Sequence, residues 1–558
     1  YFRDHAAAAL PASRAAIPLY GPAYERAIFE EPAEPFRRRE TYIIYDNLWN
    51  LYAPIEGVPV AGELLDYDTT DIAGVRVHVL PLPGATMTQI GLSVDLPDGP
   101  ARVVFSGEAI HSPGRVPRIA PYQYNYNDLI GAQNNYYALQ QLREHQPGAL
   151  LPSLGEPMLD DIDASLAKTQ ANLRALVAAR PGMEAVLDDA VDADLEKVTD
   201  HVWRDTQSGS FNWYIISESG KAMVIDYGYR VGAVDRPAYP HPETRRALLH
   251  GLKALERQFG IDRIDTVLIS HFHDDHVCGI PLLQRLFNTR AWAADTFAHL
   301  HTHPEAHCFP CNWPQPIRID RVIGMDEIVT WEEYSFHFAP MSGHTRFAAL
   351  IGFEADGRKF AHTGDQYFFT GSGDWASRGR LQNHVYRNGA KLDGYDRSGE
   401  WMLKWRPDVV IQGHQPAFFT DDDFFRHIEQ WRHDYRTLHE NVMPLGAQQT
   451  HFDLDSWGGW IWPYRTHLPA SGEAQVTVTV RNPLPRPATL ALRLVGPTGW
   501  RGSEARIEAE AHAEAACRMT ITPDGPCRRQ PFAVELTADG QPFGQVAEAL
   551  VTVGGEWF

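Results

Sequence analysis

The sequence predicts an α/β fold in the middle of the chain with an all-β domain behind it, on three observations. Between about residues 196 and 469, short apolar runs alternate with segments of helical spacing. From about residue 470, apolar and polar residues alternate one by one between turn-forming Pro, Gly and Asn. The first third of the chain repeats the later half of the middle section.

The middle section reads element by element. Residues 211–228, FNWYIISESGKAMVIDYG, are two apolar strands about a Ser-Gly turn. Residues 241–260, HPETRRALLHGLKALERQFG, have helical spacing and stop at Gly260. IDTVLIS at 264–270 is a short, mostly apolar run, the pattern of a strand buried on both faces. PLLQRLFN follows as helix. YSFHFAPMSG, AALIGFEADGRKFAHTGD and PDVVIQGHQP are further strands, each ending in a polar loop. In the tail, EAQVTVTVRNPLPRPATLALRLVGPTGW and PFAVELTADGQPFGQVAEALVTV give short alternating strands with turns every ten or so positions, which predicts a β-sandwich. A spacer or surface-binding role is expected of it, since nothing in it reads as catalytic.

A chain of 558 residues exceeds one ordinary core, and 44% hydrophobic with 22% charged residues is a soluble globular composition. There is no apolar run of about 18 residues, so no membrane span is expected. A net charge of −21 argues against a nucleic-acid partner, which needs a basic face. Five cysteines are too few for a disulfide scaffold. Cys517 and Cys527 are close enough in sequence for one bridge, and Cys308 and Cys311 form a lone Cys-x-x-Cys.

The chemistry concentrates after the buried strand. VLISHFHDDH places His271, His273, Asp275 and His276 within six residues, N and O donors of the kind zinc prefers. Later strand ends offer His344 in PMSGHT, Asp365 in AHTGD and His414 in VIQGHQP, each beside glycine, which lets the backbone turn tightly. His384, Tyr386 and Arg387 in NHVYRNG lie between Asp365 and His414 and are weak candidates for substrate contact, with a solvated loop as the alternative. HLHTHPEAHCFPCNWP reads as a lid-like loop with incidental histidines rather than a further metal site, and Cys278 as a small packed side chain.

The His-x-His-x-Asp-His motif, Gly343-His344-Thr345, Thr363-Gly364-Asp365 and Gly413-His414, in that order, resemble the metallo-β-lactamase superfamily over about half of the chain. The resemblance implies an αββα metallo-β-lactamase sandwich with two zinc ions at one sheet edge. It implies His271, His273 and His344 on the first ion, Asp275, His276 and His414 on the second, and Asp365 as bridge. Asp226 matches a position that buttresses the histidine loop, with no ligand role. The implied reaction is hydrolysis by a metal-held hydroxide, with Asp275 also orienting the nucleophile. Flavodiiron relatives carry Glu where this chain has His273, which disfavours iron and dioxygen chemistry. Nucleic-acid-cleaving branches insert a large domain before the last histidine, whereas 49 positions separate Asp365 from His414. An ester, thioester, lactone or amide of a small molecule is therefore the expected substrate; a phosphodiesterase or nuclease, or a binding protein with a vestigial metal site, are the rivals. The tail resembles the immunoglobulin-like modules appended to many hydrolases.

In the repeat, Gly84-Ala85-Thr86 falls on Gly343-His344-Thr345, Ser106-Gly107-Glu108 on Thr363-Gly364-Asp365, and Glu156 on His414. Asp4-His5 falls on Asp275-His276, with Phe2 in place of His273. The first third thus reads as a degenerate, partial copy whose first half would lie before Tyr1, and a non-catalytic partner is expected of it; a weak single-metal site from Asp4, His5, Glu108 and Glu156 is the alternative. A half-sandwich leaves one sheet face bare, which predicts an intermolecular contact or a homo-oligomer. The expected organisation is 1–195 degenerate copy, 196–469 catalytic di-zinc domain, and 470–558 immunoglobulin-like β-sandwich. The compartment is undecided; a cytoplasmic location is favoured, with secretion or the periplasm left open by the missing start.

Overall fold

The computed structural model describes residues 6, 8–32, 56–96, 102–119, 129–180, 187, 193–228, 249–368 and 381–555. In the first third, five strands form one sheet: β1 (Thr69–Ile72), β2 (Val75–Pro81), β3 (Ile90–Val94), β4 (Val103–Gly107) and β5 (Ala149–Pro152), in that order. The first three pairings are antiparallel and the last is parallel. Helices α1 (Ile130–His145) and α2 (Ile162–Ala178) contribute Tyr137, Leu139, Leu142 and Leu166 to its core.

The middle section holds two sheets. The first runs β6 (Trp213–Ile216), β7 (Ala222–Ile225), β8 (Thr266–Leu268), β9 (Arg290–Ala294) and β10 (Arg321–Ile323), with short strands Val202–Arg204 and Glu196–Lys197 beyond β6. Every residue of β6, β7 and β8 is buried. That is why they read as continuous apolar runs: both faces are covered. The pairings from β7 to β10 are parallel, so the chain must cross over between strands, and α3 (His250–Phe259) and α4 (Ile280–Phe287) do this in two of those crossovers. Gly260 ends α3 at φ +69, a left-handed cap that glycine adopts without a Cβ clash.

The second sheet runs β11 (Ile328–Trp331), β12 (Tyr334–Pro340), β13 (Ala349–Ala355), β14 (Arg358–His362) and β15 (Val409–Ile411), closed by Phe418–Phe419. From β11 to β15 its order and strand directions are those of the β1–β5 sheet: three antiparallel pairings, then a parallel one. One apolar core joins the two middle sheets, with Trp213, Val224 and Leu268 on one side and Phe336, Phe353 and Phe360 on the other. Each fully buried side chain of this size contributes about 1.5–3 kcal/mol. A second core lies between the other face of β12–β15 and helices α5 (Gly394–Trp405) and α6 (Asp422–Glu440), through Met402, Phe424 and Trp431. The Asp421 carboxylate caps α6 by accepting from Phe424 N at 2.8 Å. The layers are helix, sheet, sheet, helix.

The C-terminal region is two sheets of four and five strands around one core that includes Val478, Leu490, Phe532 and Val551. Cys517 and Cys527 are free thiols, on strands of different sheets (Glu514–Thr522 and Cys527–Ala538), so the bridge that their sequence spacing suggested is not formed. Among the described residues no helix is long and apolar enough to cross a membrane.

Candidate metal centre

Strand ends aim the donors at one point. β8 ends two residues before Ser270, and the backbone then turns into a one-turn helix, Asp274–Val277. This places His271, His273, Asp275 and His276 on a short arc. His344 follows β12, Asp365 follows β14 and His414 follows β15. Gly364 takes φ +45 immediately before Asp365, so a left-handed turn swings that carboxylate inward.

Two groups of donors result. Ligand atoms of His271, His273, His344 and Asp365 lie within 4.8 Å of one another, as do those of Asp275, His276, Asp365 and His414. Asp365 belongs to both. The same criterion joins Asp226 to His271 and His276. Among the described residues these are the groups of three or more His, Cys, Asp or Glu able to hold an ion; the 299–311 loop contributes none.

Each imidazole has one nitrogen tied outward. His271 Nδ1 is 2.9 Å from Ser270 Oγ, which donates to Asp226 Oδ2 at 2.6 Å. His276 Nδ1 donates to the same Asp226 oxygen at 2.8 Å, and Ser270 N donates to the other. His344 Nδ1 donates to the Asn383 carbonyl at 3.1 Å, and His414 Nδ1 to the Gly209 carbonyl at 2.9 Å. His273 Nε2 donates to the Asn388 amide oxygen at 2.8 Å. The remaining nitrogens face inward: those of His271, His273 and His344 with their lone pairs, and His414 Nε2 towards Asp365 Oδ2 at 3.1 Å and Asp275 Oδ2 at 3.2 Å. His273 Nδ1 and His344 Nε2 stand 3.2 Å apart, an arrangement that repels unless a cation lies between them. His271 Nε2, His276 Nε2 and Asp365 Oδ1 are buried without a hydrogen-bond partner. Buried polar atoms are rarely left so, and an ion at each of the two donor groups would satisfy all three.

The electrostatics agree. Burial pushes His273 down to about 3 and His271 well below the usual histidine range, so both are neutral, the form that binds metal. Burial also lowers His276, but Asp365, Asp275 and Asp226 outweigh it and raise that group to about 10. His414 is raised likewise, burial being overcome by Asp365 and Asp275. Asp365 and Asp275, joined by Asp226 at His276, thus draw protons onto these two imidazoles; a bound cation would replace those protons. Imidazole nitrogen with carboxylate oxygen is a donor set that zinc and other divalent transition metals take.

Residues 209–414 match the profile of the Metallo-beta-lactamase superfamily. This part of the chain belongs to that superfamily. Solved structures similar to this chain include a metallo-beta-lactamase from Cronobacter sakazakii carrying a HARLDQ-motif mutation, at 15% identity, covering 46% of this chain and 100% of the other, with a TM-score of 0.34. FEZ-1 from Legionella gormanii shares 16% identity over 46% and 98% of the two chains, at 0.33. BJP-1 of Bradyrhizobium japonicum shares 14% over 47% and 100%, at 0.32. A comparison with curated proteins finds no match.

The weaker candidates sit beside this superfamily centre, outside both donor groups. His384 is half-buried against Tyr386, Tyr435 and His439, and the Tyr386 hydroxyl lies 3.1 Å from His439 Nε2. Arg387 is exposed. Their strip is nonetheless tied to the centre, because Val385 N donates to the His344 carbonyl at 2.9 Å. Sequence reasoning missed the two asparagines that flank them. Asn383 donates from Nδ2 to the Asp365 carbonyl at 2.7 Å besides accepting from His344. Asn388 holds His273, and its carbonyl accepts from Thr345 Oγ1 at 3.0 Å and Arg346 N at 3.1 Å. The Asn388-Gly389 pair signals a turn in sequence; what the turn grips is set by the fold. Cys278 is buried, as a packed thiol, and Cys308 and Cys311 are exposed.

In the first third, Asp4 and His5 lie outside the described residues. Glu108 is buried and ion-paired with Arg118, while Glu156 is exposed. The guanidinium supplies there the positive charge that an ion would supply at Asp365.

Proposed function

We propose that the chain is a zinc-dependent hydrolase acting on an ester, thioester, lactone or amide bond of a small molecule. The observation that carries this is the inward convergence of seven donors, each histidine fixed from behind, on two adjacent points sharing Asp365. His271, His273 and His344 would hold one ion, Asp275, His276 and His414 the other, and Asp365 would bridge them. When bound, zinc supplies Lewis acidity and an acidified water with a pKa near ~7.

The residues divide the remaining work. Ser270 and Asp226 keep His271 and His276 in the tautomer whose inward nitrogen carries a lone pair. Burial would raise the Asp275 carboxyl, but His276 and His414 hold it well below the usual range, so it stays ionised and orients the attacking water by accepting its hydrogen bond. The strip from Asn383 to Asn388 is tied to the centre at His344 and His273, and on this reading His384 and Tyr386 would meet the substrate.

A panel of lactone, thioester and phosphodiester substrates offered to the zinc-loaded protein tests this reading. It predicts turnover of an acyl substrate that is lost in Asp365→Ala. Turnover of phosphodiesters alone would replace the acyl assignment, and no turnover of any class in metal-replete protein would contradict the hydrolase reading.

A further inference from the structure

A cavity of about 660 Å³ lies where the C-terminal sandwich meets the middle section. None of the seven donors lines it. Its size is that of a small-molecule site. The middle section contributes Phe309 and Phe347, and the sandwich side contributes Trp460 and Trp462. These rings form a continuous wall: Phe309 and Phe347 are 4.9 Å apart, and Trp462 Nε1 donates to His307 Nε2 at 3.2 Å. Burial lowers His307 to about 3, so this ring is neutral and adds no charge.

The charge at the cavity comes from elsewhere. Arg346, Lys391 and Arg397 line it. Glu514, behind the wall, receives both Arg346 nitrogens and one from Arg481, and Arg481 also pairs with Asp455. Lys391 Nζ stands 3.9 Å from the same Glu514 carboxylate, too far for a hydrogen bond. Arg346, Lys391 and Arg397 thus line the cavity and, among the described residues, no acidic side chain does; the carboxylates that face Lys391 and Arg397, Glu514 and Asp393, lie outside the lining. A lining of one sign, with its counter-charges set back, attracts an anion into the cavity.

We propose that this cavity binds a small amphipathic anion: an aromatic or other flat apolar body against Trp460, Trp462 and Phe347, with its acidic group at Lys391. The site is separate from the hydrolytic centre, and the proposal does not depend on the identity of the substrate there. Because Arg346 lies two residues from His344, a ligand bound here also touches the loop that carries a metal donor.

The test is a titration of the zinc-loaded full chain with naphthalene-2-sulfonate and with its neutral analogue 2-naphthyl methyl sulfone, followed by calorimetry and tryptophan fluorescence. A sulfonate is a weak zinc ligand, so binding at the metals is minimised. The expected result is one site per chain, with the sulfonate at least tenfold tighter than the sulfone. Lys391→Met should erase that preference and keep the sulfone affinity, while Trp462→Ala should weaken both probes. Equal affinity for the two probes in the unaltered protein, or a sulfonate preference that survives Lys391→Met, would overturn the proposal. The unaltered protein decides the first point even if a variant fails to fold.

Discussion

Arg346, two residues beyond His344, forms a two-point ion pair with Glu514 of the C-terminal sandwich, at 3.1 and 2.8 Å. The same guanidinium stacks on Trp460 at 4.4 Å. The sandwich is therefore fastened to a loop of the metal centre. Glu514→Gln removes the carboxylate from between Arg346, Arg481 and Lys391 and leaves partly buried cations facing one another. A loss of about 1–3 kcal/mol is expected, read as a lowered melting temperature.

That carboxylate also sets a pH dependence. Burial would raise Glu514, but Arg346, Lys391 and Arg481 bring it down to about 2. Its folded value lies below its unfolded one, so its contribution is complete above the ordinary carboxylate range and is lost as pH falls from about 4.5 towards about 2. Melting temperature measured against pH should fall more steeply across that window in the unaltered protein than in Glu514→Gln. Parallel curves would mean that the pair contributes nothing.

Asn388 accepts from His273 Nε2 and so fixes which nitrogen faces inward. Asn388→Ala removes that acceptor while leaving the seven donors in place. A 10–100-fold loss of affinity for the ion held by His273 is expected from competition with a chromogenic chelator. Unchanged affinity would show that packing alone orients the ring.

Gly413 is pressed against Asp365. A Cβ there would collide with Asp365 Oδ1 and approach His276 Cε1. Gly413→Ala should therefore displace the shared carboxylate and lower bound metal, as Asp365→Ala does, without removing any donor. Metal analysis of both variants checks this.

How much of this was legible beforehand depended on range. The strand of 264–270 and its histidine arc are local: a buried parallel strand must be apolar throughout, and the donors follow it within six residues. The later donors were legible because each sits where an apolar run breaks at glycine. What supports them was not legible, since Asn388 meets His273 across 115 positions and Gly209 meets His414 across 205. Glu514 was not singled out by the sequence, and only the docking of the sandwich shows that it faces Arg346. The Cys517–Cys527 bridge is absent for the same reason: the ten positions that separate them in sequence do not set where the sheets put the two thiols, and both are free.

If two ions share Asp365, the zinc stoichiometry must depend on that carboxylate. Elemental analysis of the purified chain, loaded with zinc and dialysed, tests it most directly. Two zinc ions per chain are expected in the unaltered protein and at most one in Asp365→Ala. No stable zinc in the folded unaltered protein, or a variant that keeps both ions, would contradict the sharing of Asp365.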